Sequence, residues 1–362
     1  MARGAVEEAL RFDRIEGWPL PNERADWFGD PAAELSLLDA YRSGRMHHAW
    51  LIGGPKGIGK ATLAYRFARF ILAHPDPLAG EVAGGVDLAV APGHPAFRKV
   101  AAGAHPNLLT LERPYDVDRK RFRTGLTVAE IRRTVPFFGS TGGEDGWRIA
   151  IVDAADDMNA SAANALLKVL EEPPARSLFL LVGHAPGRVL ATIRSRCRRL
   201  DLAPLPAEAI AGALAAAADV EAADASLAAT LADGSLRRAI LITEGDGISV
   251  YRDFAGLMAR LPEVDVPAFH RFAEAVSGRG NEDAWAGFLD LARAWLDRRV
   301  RGDKEPDSGV PLAVAAERAP LERWAEVWEN LRASSEATDD LNLDRKRTVL
   351  SILMSLARAT RM

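Results

Sequence analysis

The sequence predicts an α/β module with a parallel sheet, followed by a small helical domain and a larger all-helical one. Residues 48–202 alternate short apolar runs with helical patterns, the signature of parallel strands joined by crossover helices. Strand signals stop after Pro204, and Ala/Leu-rich helical patterns take over. Between a strand pattern and a helix pattern lies Gly54-Pro55-Lys56-Gly57-Ile58-Gly59-Lys60, the spacing of a phosphate-binding loop.

Five candidate strands are Trp50–Gly53, Asn107–Leu111, Arg148–Val152, Ser177–Val182 and Cys197–Leu202. One helix runs from Lys60 to about His74. Another begins at Thr127, where Thr127-x-x-Glu130 has the form of a capping box ahead of Ile131 and Val135. A third, about Ser161–Leu170, must stop before Pro173-Pro174. The stretch Pro75–Pro106 holds five prolines and five glycines and reads as an irregular insertion. Three short helices are expected near 206–218, 224–233 and 235–243, and longer amphipathic helices from Val250 on, interrupted by the polar linker Arg301–Pro311. The expected domains are therefore 1–203, 204–247 and 248–362. Trp285, Trp295, Trp324 and Trp328 recur at helical spacings and suit core or subunit packing better than base stacking.

Composition narrows the function. The 48% hydrophobic and 27% charged content is that of an ordinary globular protein. No apolar run approaches the roughly 20 residues of a membrane helix. The opening MARGAVEEALRFD carries acidic residues where a secretory leader would be apolar, so a cytoplasmic protein without membrane partners is expected. Cys197 is the single cysteine, which excludes an intrachain disulfide and a multi-cysteine metal site. With a net charge of −4, any contact with nucleic acid must be local. Arginines cluster at Arg194, Arg196, Arg198 and Arg199 and again at Arg237 and Arg238, a pattern that by itself describes a solvated or salt-bridged face.

The loop at Gly54, Gly57 and Gly59 can turn backbone N–H groups toward phosphate oxygens, with Lys60 reaching the terminal phosphates. The next position, which needs a Ser or Thr hydroxyl for Mg²⁺, is Ala61. Thr62 is one step on, rotated about 100° around the helix. Arg148–Asp153 is an apolar strand ending in a carboxylate, suited to the metal-associated Asp of a Walker B site. Ala154 follows it. Asp156 and Asp157 lie further along and suit the approach to the next helix.

Taken together these residues resemble the clamp-loader branch of the AAA+ proteins, and its delta-prime subunits of bacterial DNA polymerase III in particular, over about residues 20–240. The supporting segments are Ser43–Trp50 leading into the P-loop, His105-Pro106-Asn107, Val152–Asp156, Asn164–Pro174 and Ile193–Cys197. The resemblance implies a RecA-like AAA+ module, a helical lid and a C-terminal helical collar for oligomerisation. AAA+ ATPases follow the Walker B Asp with a Glu that orients the attacking water, so Ala154 implies a degenerate site with weak ATP or ADP binding at best. Gly54, Gly57, Gly59, Lys60, Thr62, Asp153 and, through a sensor-2 segment, Arg237 are its nucleotide-facing positions. Ser195-Arg196-Cys197 implies an arginine finger, Arg196, offered in trans to ATP in a neighbouring subunit.

The implied role is a stator that helps load the sliding clamp onto primed DNA within the DNA-directed DNA polymerase III holoenzyme. Its implied partners are the gamma/tau motor subunits, the delta subunit, the beta clamp and the DNA. The alternatives are an ATP-hydrolysing gamma/tau-like motor and a stand-alone AAA+ ATPase of DNA repair. Two departures stand out: family members commonly carry zinc on four cysteines in the insertion, for which this chain has no ligands, and His184 stands where hydrolysing relatives place a polar sensor residue.

Overall fold

The computed structural model describes residues 14–15, 17–117, 121–139, 146–217, 220–278, 282–301, 320–341 and 343–361. The chain divides into two compact units, one up to Leu205 and one from Pro206 on.

The first unit is built on five parallel strands, β1 (Ala49–Gly53), β2 (Leu108–Leu111), β3 (Arg148–Asp153), β4 (Ser177–Gly183) and β5 (Arg198–Asp201). Their order is β2-β3-β4-β1-β5. Ala49 pairs with Phe179, Trp50 with Arg198, Leu108 with Ile149, and Arg148 with Ser177. All five lie within one residue of their expected ends. β1 and β4 are buried along their whole length, as central strands covered on both faces must be. The P-loop strand thus sits between β4 and β5 while Asp153 is two strands away, a parallel α/β arrangement in which the loops after β1, β3 and β4 lie at the carboxyl ends of the sheet.

Besides a single turn at Gly80–Ala83, the helices of this unit are α1 (Pro31–Arg42), α2 (Lys60–Ala73), α3 (Pro95–Ala101), α4 (Val128–Arg132), α5 (Thr134–Gly139), α6 (Ala160–Glu171) and α7 (Ala191–Arg194). α4 starts at the expected cap, with Thr127 accepting from the Glu130 N–H at 3.5 Å. Asn159 caps α6 through the Ala162 N–H at 2.9 Å. Leu166 and Leu170 of α6 pack with Leu51, Val152 and Leu181 of the sheet. That cluster ties the helix before β4 to the strands carrying the P-loop and Asp153.

The stretch Pro75–Pro106 corrects the expectation of an irregular insertion. Pro95 opens α3 at its first turn, a position where a missing N–H costs nothing, and His94 caps it by accepting from the Ala96 N–H at 3.1 Å. Val82, Leu88, Phe97 and Val100 are buried. Proline and glycine here separate short built pieces.

The second unit is helical throughout its described residues: α8 (Ala207–Ala217), α9 (Ala222–Leu231), α10 (Leu236–Glu244), α11 (Gly247–Ala259), α12 (Val266–Ser277), α13 (Glu282–Arg301), α14 (Leu321–Leu341) and α15 (Arg345–Ala359). Phe254, Phe272, Phe288 and Trp295 form an aromatic core, with Phe272 and Phe288 centroids 5.5 Å apart. Trp295 meets Trp324 edge-on at 5.3 Å. Trp285, Trp295 and Trp324 are at most 3% exposed, whereas Trp328 is 37% exposed, so three of the four serve the core. Of the expected linker Arg301–Pro311, Arg301 is the last residue of α13 and residues 302–311 lie outside the described residues. No described helix is long and apolar enough to cross a membrane.

Candidate functional site

The P-loop folds as its sequence requires. Gly54, Gly57 and Gly59 have φ of +136°, +80° and +89°, in the region that favours glycine. A Cβ on Gly54 would stand 2.5 Å from the Leu202 carbonyl oxygen. Lys60 opens α2, is 3% exposed, and donates from Nζ to Gly54 O at 2.8 Å and Pro55 O at 2.5 Å. The ammonium therefore closes on the carbonyls of its own loop. Thr62 is buried on the next step of the helix, and Ala61 is half-buried. Ala61 offers a methyl where Mg²⁺ needs a hydroxyl, so these residues do not fit a hydrolytic metal site.

Of the carboxylates after β3, one holds backbone and the other an arginine. Asp153 ends β3, and Ala154 after it is 4% exposed. Asp156 accepts from the N–H groups of His184 at 3.1 Å and Ala185 at 2.8 Å. Burial alone would raise its pKa, but those donors outweigh it and hold the carboxyl below its usual value. Asp157 is ion-paired with Arg113, whose Nε donates at 2.8 Å. His184 follows β4. Burial pushes its pKa down, the Lys60 and Lys56 charges add to this, and its Nδ1 is buried without a hydrogen-bond partner. A small cavity is lined by Glu112, Arg113, Asp153, Ala154, Asp157 and His184; position 154 gives it a methyl, and its Asp157 is paired with Arg113.

Three groups that sequence patterns did not single out shape this end of the module. The segment Trp18–Asp30 lies along α2 as a strap: Arg69 donates to Arg24 O at 2.9 Å, and Arg66 donates to Ala25 O at 2.5 Å and pairs with Glu34. Trp27 at the end of the strap donates from Nε1 to Gly59 O at 3.3 Å, so an indole rests on the P-loop. Arg69 is 2% exposed, lies 4.0 Å over the Phe97 ring, and its pKa is lowered to about 10 by burial and the neighbouring Arg66. It joins strap, α2 and insertion. The only legible hint was an arginine pair, Arg66 and Arg69, inside the otherwise apolar run of α2.

Arg196 lies elsewhere, on the turn between α7 and β5. Its Nη1 donates to Thr192 O at 3.0 Å and its Nη2 to Glu171 Oε1 at 2.7 Å, with the side chain 37% exposed. The other arginines of this cluster are individually engaged. Arg194 donates to Val189 O at 2.5 Å, Arg198 sits 4.7 Å over the Trp50 ring, and Arg199 pairs with Asp201 at 2.7 Å. Burial pushes the Cys197 thiol up to about 12, so it is an inert neighbour. His48 Nε2 lies 3.1 Å from Leu170 O and Arg196 reaches Glu171, so the Ser43–Trp50, Asn164–Pro174 and Ile193–Cys197 segments meet at the end of α6. Arg237, half-buried on α10, belongs to the second unit. Among the described residues no group of three His, Cys, Asp or Glu gathers in a way that could hold a metal.

Residues 29–206 match the family described as DNA polymerase III, delta subunit. The DNA polymerase III subunit delta' of Pseudomonas aeruginosa is 38% identical over 162 residues, which is 45% of this chain and 44% of that protein. The Escherichia coli subunit delta' is 34% identical over 211 residues, 58% of each. The tau subunit of Bacillus subtilis is more distant, 27% identical over 62% of this chain and 38% of its own. The chain spans about half the length of the two delta' relatives it matches. Over its P-loop module, residues 29–206, this chain is similar to the DNA polymerase III delta-subunit family, and to delta' subunits in particular.

Proposed function

We propose that the chain is a stator of the DNA polymerase III clamp loader, a subunit that hydrolyses no ATP and offers Arg196 to ATP held by a neighbouring motor subunit. The observation that carries the reading is a contrast. The carboxylates after Asp153 are committed to backbone and to Arg113, while Arg196 stands at the surface on the Ser195–Cys197 turn. A guanidinium presented in trans stabilises charge developing on the transferred phosphoryl group, an effect of about 10³ to 10⁵ in rate for such fingers.

On this reading Gly54, Gly57, Gly59 and Lys60, with Thr62, Asp153 and Arg237, bind ATP or ADP weakly and no zinc is required. The partners are the gamma/tau motor and delta subunits and, through the assembled complex, the beta clamp and primed DNA. The compartment is the cytoplasm.

The test uses complexes reconstituted with wild-type, Arg196→Ala and Arg196→Lys chains. Both variants should assemble, since trimming a partly exposed guanidinium leaves no cavity. Clamp- and DNA-stimulated ATPase should fall by the share of the one site served, with Lys a poor substitute because a point ammonium lacks the planar fork of donors. Full activity in properly assembled complexes with both variants would refute the assignment. ATP turnover by the isolated chain, abolished by Lys60→Ala, would favour a motor subunit instead.

A further inference from the structure

We infer that Glu171 is a positioning residue for Arg196, an inference that rests on the finger reading above. The two residues are 25 apart in sequence and meet because of the fold. Glu171 is the last residue of α6, and Pro173-Pro174 prevent the helix from continuing. The turn that carries it is fixed from beneath by His48 at the Leu170 carbonyl. The second acceptor, Thr192 O, comes from α7, so two separate elements hold the two Nη atoms of one guanidinium.

A guanidinium has five N–H donors in a rigid plane. Two are used, by Thr192 O and by one Glu171 oxygen, leaving three for a ligand. Arg196 and Glu171 side chains are 37% and 50% exposed, and ion pairs so open to water add little to stability. What the contact does is remove rotamer freedom from a long side chain before the neighbouring subunit arrives, so that less ordering remains to be done on docking. Because the pair is exposed to water, its net energy is small, and Glu171 does not hold Arg196 back from a phosphate.

The test compares Glu171→Ala, Glu171→Gln, Arg196→Ala and the double variant Glu171→Ala/Arg196→Ala in reconstituted complexes of verified mass. The turnover lost with Arg196→Ala defines the contribution of the finger. Glu171→Ala should cut that contribution about twofold to fivefold, the span of an exposed ion pair, with the KM for ATP unchanged. Glu171→Gln, which keeps an acceptor of the same length, should restore at least half of the loss. In the double variant Glu171→Ala should add nothing to Arg196→Ala. Unchanged or faster turnover with Glu171→Ala, or an equal loss in the Arg196→Ala background, would overturn the positioning role while leaving the finger intact. No effect of Arg196→Ala itself would remove the finger reading and this inference with it.

Discussion

The two ends of the parallel sheet in the first unit have been treated differently. At the carboxyl ends of β1, β3 and β4 lies a P-loop with sound glycine geometry whose neighbouring carboxylates are in structural use: Asp156 binds the backbone after β4 and Asp157 binds Arg113. At the amino ends of β4 and β5 lie Glu171 and the Ser195–Cys197 turn, where a guanidinium is held at the surface. Because all strands run parallel, these regions fall on opposite edges of the sheet. A module can therefore lose hydrolysis at one edge without disturbing what it presents at the other.

The largest effect expected of this contrast is on stability at the carboxyl edge. Asp156→Ala strands the N–H groups of His184 and Ala185 and should cost about 3 kcal/mol, from the usual worth of hydrogen bonds to a charged acceptor. A urea denaturation midpoint reads it. The same carboxylate sets a pH dependence. Its pKa is lower folded than unfolded, so its contribution is complete above the unfolded value near 3.8 and is lost as pH falls through the folded one. Acid titration of wild-type protein should show this loss, and Asp156→Ala should remove it. A wild-type midpoint in the variant would mean that Asp156 is idle, leaving it available for chemistry.

A smaller effect is expected of Arg113→Ala, which leaves Asp157 partly buried and unpaired. Its side chain is 18% exposed, and the cost should be about 1 to 3 kcal/mol, below that of a fully buried broken pair. Purified as part of an assembled complex, this variant should retain finger-dependent turnover in full. Loss of that turnover would couple the two edges and break the comparison.

The smallest effect is none. Ala61→Ser should not turn the isolated chain into an ATPase, since position 154 still lacks the water-orienting carboxylate. Steady-state phosphate release above background in this variant would show that Asp156 or Asp157 can fill that role after all.

Much of this was legible in local pattern. The five strands are short apolar runs between helical spacings, and a parallel sheet buried on both faces demands such runs. Thr127 reads as a cap because its hydroxyl has an obvious use at a helix start. What could not be read were partnerships formed across distance. Arg113 and Asp157 are 44 positions apart. Trp27 reaches Gly59 across 32, and nothing in either neighbourhood announces the contact. The insertion misled for a physical reason: proline at the first turn of a helix starts it, whereas composition alone counts every proline as a breaker. Arg69, a charge expected at the surface, is enclosed because the strap offers it carbonyls and Phe97 offers it a ring face.

The double attachment of Asp156 to the chain after β4 also limits what substitution can do. A variant that acquired a hydroxyl at 61 and a carboxylate at 154 would still have its neighbouring acids occupied, and freeing either would weaken the fold before any turnover was gained. Each single step toward an ATPase is therefore neutral or harmful. A side chain that has become a fastener is released only at a cost to the fold, so on the stator reading selection acts against giving Asp156 back to chemistry.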